Sequence, residues 1–540
     1  MGGTAMRHNL CIPIFCAAAA LAVLPACTGL FEEYNSNKYG ATDEELQRDG
    51  YIVRSALTGI ASGIISLDVN TTQFTECLLG GPMAGYMADA NQGFSNTISN
   101  YNPTDHWTNQ FMENDHLIPA IYSNYRQLRR ITDDPVILAV GDVIKVAGMH
   151  RVTDTYGPIP YSQIKEDGKI QVPFDSQQQV YEKMLEELSL AIDVLTVNRT
   201  NNFSAEADAI FGGNVEKWIR YANSLKLRFA LRISYAEPEL ARKCAEEVAA
   251  HPIGTMASTD DIASLSTFSR NPINVAVKYN MAQHDDGSQC ITGGDSHAAA
   301  DIICYMNGYN DPRRAAYFTP SEWDGYEYVG LRHGIVIPDH GSIGHKYSGV
   351  LIDDKSPIVL MTPAEAAFCK AEAVAVFGWD MGGSAKEFYE QGVRLSFAQW
   401  GVSGADAYLA NTTSAPANYT DPAGTNSYPG GLSTLSVAWD ENATAEQKQE
   451  RIMIQKWIAN WLLGNESWCD IRRTGYPHIL PATDEGNKSN GAVDSFLGAR
   501  RMKYPTAEYT KNTENINYAV QNLLGGPDEM STRLWFDCKN

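Results

Sequence analysis

Five residues in turn-rich stretches have the types and spacing to hold a sugar. Asn102, Asp105 and Trp107 lie in "NYNPTDHWTN", and Trp323 and Tyr326 lie in "PSEWDGYEYVG". An aromatic ring with a polar tip suits a half-wet surface. Sugars show apolar C–H faces ringed by hydroxyls, so flat rings beneath and Asp or Asn at the edges would match them. These aromatics sit off any helical stripe, which motivates a shallow platform of Trp107, Trp323 and Tyr326 edged by Asn102 and Asp105. Packing a loop onto the core is the commoner role for any single aromatic.

Other chemistry is thinner. "HGSIGH" puts His340 and His345 in a Gly-rich loop with weak metal spacing, and it reads as a polar loop rather than a ligand pair. "QHDDGSQ" holds Asp285, Asp286 and Gly287, a fragment of a calcium loop without its distant Glu. We expect no cofactor, and calcium has no support beyond that fragment. The chain has no P-loop, G-x-G-x-x-G, G-x-S-x-G or H-E-x-x-H. Its 64 acids could supply a pair of glycosidase carboxylates, but no local pattern picks a pair out.

Cysteine usage separates the start of the chain from the rest. Arg7 precedes an apolar, Ala-rich run from Leu10 to Ala26, too short to span a bilayer comfortably at about 20 residues. The run has the layout of a secretory signal peptide over residues 1–26, and Met6 offers an alternative start. It ends in "LPAC", which resembles a bacterial lipobox with Cys27 as the acylated residue, though Pro25 is an unusual occupant. Ordinary cleavage after Ala26, leaving a free thiol, is the plainer alternative. Of the ten cysteines, Cys11 and Cys16 leave with the leader. The remaining seven after Cys27 are scattered and form no C-x-x-C pair, so buried free thiols are expected for most.

A net charge of −22 excludes a chain held by nucleic-acid phosphates or an anionic membrane surface. The hydrophobic fraction of 44% is ordinary for a folded chain.

The elements that must position these residues are mainly helical. Thr362 is a good N-cap, Pro363 suits the first helical position, and Glu365 is placed to close a capping box. Ser384 and Glu387 mark a second box after the "MGGS" break. Two capped helices of about 15 residues follow, with Phe368, Ala371, Phe388 and Tyr389 expected as mutual core contacts. Asn214 caps a helix whose stripe runs through Trp218, Ile219, Leu225 and Phe229, with Pro238 as its stop. Asp175 or Ser176 opens another. "PAIYSNYRQLRRI" and "EQKQERIMIQKWIANWLLG" add two more candidates. Strand-like alternation is scarce, and 404–447 reads as long surface loops. The expectation is one large, mainly helical domain over 27–540, built on tetratricopeptide-like helix pairs with long irregular loops and little strand.

Several of these stretches together resemble the SusD/RagB family of nutrient-binding outer-membrane lipoproteins of Bacteroidetes. They are "RVTDTYGPIPYSQI" (151–164), "DAIFGGNVEKWIRYANSLKLRFALRIS" (208–234), "YMNGYNDPRRAAYF" (305–318), "MTPAEAAFCKAEAVAVFGW" (361–379) and the C-terminal "RRMKYPTAEYTKNTENINYAVQNLLGGPDEMSTRLWFD" (500–537). The family's closing pair is often Trp-Trp, and here Phe536 takes the second place. The resemblance implies a non-catalytic binding lipoprotein at the outer-membrane surface, anchored through lipid on Cys27. Glu32 and Glu33 look like the acidic export signal of such lipoproteins. It also implies a SusC-like TonB-dependent barrel as partner, and an oligosaccharide ligand, or a peptide as in the RagB branch. The competing class is a surface hydrolase of the same polymers. The resemblance fixes no ligand-contacting residue, because the family's ligand loops vary.

Overall fold

Caps and breaks written in the sequence set most of the helix ends. The computed structural model describes residues 50–112, 117–164, 171–284, 286–290, 292, 294–339 and 341–539. The longer helices of the scaffold are α1 (Tyr51–Ala61), α2 (Leu117–Ile131), α3 (Pro135–Tyr156), α4 (Gln177–Val197), α5 (Val215–Arg232), α6 (Pro238–Ala250), α7 (Pro363–Phe377), α8 (Ala385–Gln399), α9 (Ala445–Ala459) and α10 (Gly464–Thr474). Ser176 opens α4 with a full capping box to Gln179, and Ser384 opens α8 the same way with Glu387. The Asn214 side chain accepts the Lys217 N–H at 3.0 Å to start α5. That helix ends at Arg232, and Pro238 turns out to open α6 at its first position, where a missing N–H costs nothing.

The helices pack in sequence-adjacent pairs. α1 lies on α2, α3 on α4, α5 on both α4 and α6, and α7 on α8 and α9. The fold is mainly α-helical, with long irregular loops. Strand is confined, among the described residues, to two antiparallel pairs. β1 (Met87–Asp89) pairs with β3 (Ser296–Ala298), and β2 (Ala263–Leu265) pairs with β4 (Ile358–Met361). One connected cluster of buried apolar side chains runs from Ala56 on α1 to Phe536. Within 404–447, Ala405–Leu409 is a short helix and Tyr419 bridges Tyr428; Tyr408, Tyr419, Leu432 and Val437 anchor this stretch in the core.

The α7–α8 hairpin matches its expected pairing in part. Phe368 and Tyr389 are buried with rings 6.1 Å apart, and Ala371 is buried beside them. Phe388 departs from the expectation: it is half-buried at the start of α8, with the Lys370 ammonium 5.4 Å over its ring. The Phe368 ring takes the central position because Gly392 leaves room; a Cβ there would meet the ring at 2.8 Å. The capping box at Thr362 is also only half made. Thr362 Oγ1 accepts the Glu365 N–H at 3.1 Å, but the Glu365 carboxylate turns away into the core.

It turns toward a buried ionic network that the apolar patterning does not announce. Arg228 Nε and Nη2 donate to Glu365 Oε1 and Oε2, each at 2.7 Å. Arg232 donates to Asp154 and, at 2.9 Å, to Glu466. His150 lies 2.6 Å from Glu466, and Arg151 donates to Glu76 at 2.6 Å. Burial by itself would raise the Glu466 carboxyl; Arg228, His150 and Arg232 around it hold it well below the usual carboxylate range. Cys77, Cys244, Cys290, Cys304, Cys369 and Cys469 are free and buried, as the scattered spacing suggests, and Cys538 is exposed.

Candidate ligand-binding site

The loops that carry the candidate residues are laced into one layer. Asn100 is the hub. Its Nδ2 donates to the Ile335 carbonyl at 2.9 Å and the Gly486 carbonyl at 2.7 Å, and its own carbonyl accepts the Lys488 N–H at 2.9 Å. Gly486 passes so near Gly334 that a Cβ would lie 1.9 Å from the Gly334 carbonyl oxygen, so only glycine permits this approach. Gln92 Nε2 donates to Asp339 Oδ2 at 2.8 Å. The Asp339 carbonyl accepts the Gly344 N–H at 2.9 Å, and Lys346 in the same turn accepts the Glu322 N–H at 2.8 Å on its carbonyl. The stretch before Trp107 is therefore tied, bond by bond, to the stretch before Trp323.

Asn102 and Asp105 line a cleft of 400 Å³ with Lys488, Asn490, Lys503 and Thr506. Both also shape the loops: Asn102 Oδ1 accepts the Thr97 N–H at 3.2 Å, and Asp105 Oδ1 accepts the Thr506 N–H at 2.7 Å. Trp107 is half-buried, edge-to-face with Phe74 at 5.2 Å and Phe94 at 5.1 Å. Trp323 is likewise half-buried, edge-to-face with Tyr347 at 5.7 Å and with Lys346 Nζ 5.0 Å from its ring centre. Tyr326 is exposed, on a turn whose N–H reaches the Trp323 carbonyl at 3.2 Å. The structure thus brings Asn102 and Asp105 to one cleft and Trp323 and Tyr326 to one turn. Among the described residues, no ring contact or hydrogen bond joins Trp107 directly to Trp323.

Sequence reading missed several residues here. Asn100 has no local sign of its role, because its partners are 235 and 386 positions away. Tyr279 and Phe496 stand out from loops at 58% and 75% exposure, which a helical-stripe search does not seek.

Two buried groups under the layer have shifted acidity. Asp89, at the end of β1, accepts from the Ser99 hydroxyl; burial outweighs that bond and the pull of His333, and with Asp295 adding repulsion its carboxyl is pushed up to about 7. Tyr347 is pushed far up by burial and by the Asp421 carboxylate, which accepts a hydrogen bond from its hydroxyl at 2.6 Å.

The "HGSIGH" loop is described from Gly341 onward. His340 lies outside the described residues. His345 stands edge-to-face with His284, ring centres 5.7 Å apart, and both point at Glu322. With Cys290 they form a group whose donor atoms all lie within 4.8 Å of one another. In the calcium-like fragment, Asp285 lies outside the described residues, and Asp286 spends an oxygen on the Ser288 N–H and hydroxyl at 2.9 and 2.7 Å.

The structure is a helical scaffold carrying a hydrogen-bonded loop layer, with half-buried aromatics and a polar cleft among its loops. The chain belongs to the SusD-like family, described as the Susd and RagB outer membrane lipoproteins, whose model matches residues 33–537. Members of this family bind glycans at the cell surface. The chain is similar to a SusD homologue from Bacteroides uniformis, 52% identical, with a TM-score of 0.87 over 91% of this chain and 100% of that one. A SusD homologue from Bacteroides ovatus is 37% identical, with a TM-score of 0.82 over 91% and 99% of the two chains. A chitin-binding SusD homologue from Flavobacterium johnsoniae is 34% identical, with a TM-score of 0.81 over 90% and 99%. No curated protein matches. No helix among the described residues is long and apolar enough to cross a membrane.

Proposed function

We propose that this protein captures an oligosaccharide at the cell surface without turning it over and delivers it to a SusC-like TonB-dependent barrel. Residues 27–540 act in this reading as one binding domain, held at the outer membrane by acyl chains on Cys27. Several chains on one cysteine suit stable anchoring, since a single chain binds only marginally. The ligand rests on the loop layer, with Trp323 and Tyr326 as stacking rings, Trp107 behind the adjoining edge, and Asn102 and Asp105 as hydrogen-bonding groups.

The observation that carries the reading is the laced loop layer with Tyr326 exposed beside Trp323. It is supported by membership of a glycan-binding family, and by a relative at 34% identity that binds chitin. A screen of purified protein against glycans and peptides tests it. The expected result is a glycan hit, weakened at least tenfold in Trp323→Ala, with no product by chromatography. A peptide hit alone would move the protein to the RagB-type reading, and turnover abolished by one carboxylate substitution would make it a hydrolase. Fatty-acid labelling of the wild type but not Cys27→Ala would support the anchor.

A further inference from the structure

We propose that His284, Cys290, Glu322 and His345 form a binding site for a zinc-class divalent cation. The residues come from three segments: a turn closed by the Gln283–Gln289 bridge, the residue before Trp323, and the short turn Gly344–Lys346. Nothing in local spacing announces them.

The distances suit a shared ion. His284 Nε2 lies 3.6 Å from one Glu322 oxygen and His345 Nε2 lies 3.5 Å from the other. Both are longer than a good N–H···O bond, which closes at about 2.7–3.2 Å. Each matches the spacing between neighbouring ligand atoms on one tetrahedral zinc, about 3.3–3.8 Å for bonds of about 2.0–2.3 Å, so whichever Glu322 oxygen binds already stands at ligand spacing from one imidazole. The two imidazoles stand at 89° to each other, so they converge edge-on rather than stack. Cys290 Sγ completes the set, all within 4.8 Å, and small side-chain rotations would draw the atoms onto one centre.

The donor set chooses the metal. Two imidazoles, a thiolate and a carboxylate suit zinc and disfavour calcium or magnesium, which take oxygen. One thiolate and one carboxylate also neutralise a divalent ion, so the filled site carries no net charge. Four protein donors fill a tetrahedral shell, the pattern of a structural rather than a catalytic zinc. Such a site would fasten three loops of the layer together. The assignment of the metal site is independent of which ligand the layer binds.

The test uses the full chain, stripped with a chelator and titrated with cobalt(II). One equivalent should bind with a thiolate-to-cobalt charge-transfer band and strong tetrahedral bands, and one equivalent of zinc should displace it. Zinc should raise the melting temperature of the stripped protein, since a ion bound only by the folded state stabilises it. Cys290→Ser should abolish the charge-transfer band. His284→Ala, at an exposed position, should weaken binding at least tenfold while the unliganded protein melts as before. Absence of the band in the wild type would overturn the site. So would a band unchanged by His284→Ala, which decides the matter even if Cys290→Ser does not fold, because metal on exposed Cys538 would survive that substitution.

Discussion

Arg228 on α5 and Glu365 on α7 meet across 137 residues through two parallel N–H···O bonds of 2.7 Å, both side chains buried. The pair joins two of the motifs on which the family resemblance rests. It explains why Glu365 leaves its capping box unclosed: a buried guanidinium needs the carboxylate more than one neutral N–H does. Removing one member of a buried pair strands the other charge, at about 3–5 kcal/mol. Glu365→Ala should cost that much in urea unfolding, and Arg228→Met with Glu365→Leu should cost less than the two single changes summed. A loss below about 1 kcal/mol for Glu365→Ala would show the pair to be solvated.

The α7–α8 hairpin sorts its aromatics by burial. Phe368→Ala should cost about 3–5 kcal/mol, as for other buried aromatics. Half-buried Phe388 should cost about half of that on truncation to Ala. Gly392→Ala should cost about 1–3 kcal/mol, because the added methyl is forced into the Phe368 ring. Equal costs for Phe368→Ala and Phe388→Ala would contradict this packing.

Asp89 gives a pH signature. Its folded carboxyl titrates at about 7, above the ordinary value near about 4, so the folded state holds a proton that the unfolded state has released in between. By linkage, its contribution to stability is present below about 4 and is lost as pH rises to about 7. Wild type should therefore fall relative to Asp89→Asn across that window and run parallel to it above. Stability curves of the two proteins that stay parallel from pH 4 to 7 would rule the shift out.

Trp107 and Trp323 should separate by what their loss does. Trp107 is wedged between Phe74 and Phe94, so Trp107→Ala should lower stability by about 2–3 kcal/mol, with any loss of binding following from that. Trp323→Ala should weaken ligand binding at least tenfold, about 1.4 kcal/mol, with a smaller change in melting temperature. Calorimetry and thermal melts on both variants check this. Unchanged affinity in Trp323→Ala would move the stacking surface elsewhere, with exposed Tyr279 and Phe496 the next rings to vary.

The residues alone determined what depends on near neighbours. Ser176, Asn214 and Ser384 announce their helices because a cap bonds an N–H two or three positions on. The α7–α8 hairpin was legible from the same signals and from its alanine and aromatic spacing. α3 was not. Nearly every residue of this 22-residue helix is buried, so no polar face alternates with an apolar one, and the periodic signal vanishes. Likewise the candidate aromatics were legible as types in polar loops, but their surroundings were not. That Trp107 is wedged between two phenylalanines, that Asn100 laces three loops, and that His345 faces His284 and Glu322 instead of a neighbour in its own loop are matters of residues far apart in the chain. Such contacts form only when the helical scaffold has brought distant loops together, and a short stretch of sequence holds no record of what will arrive opposite it.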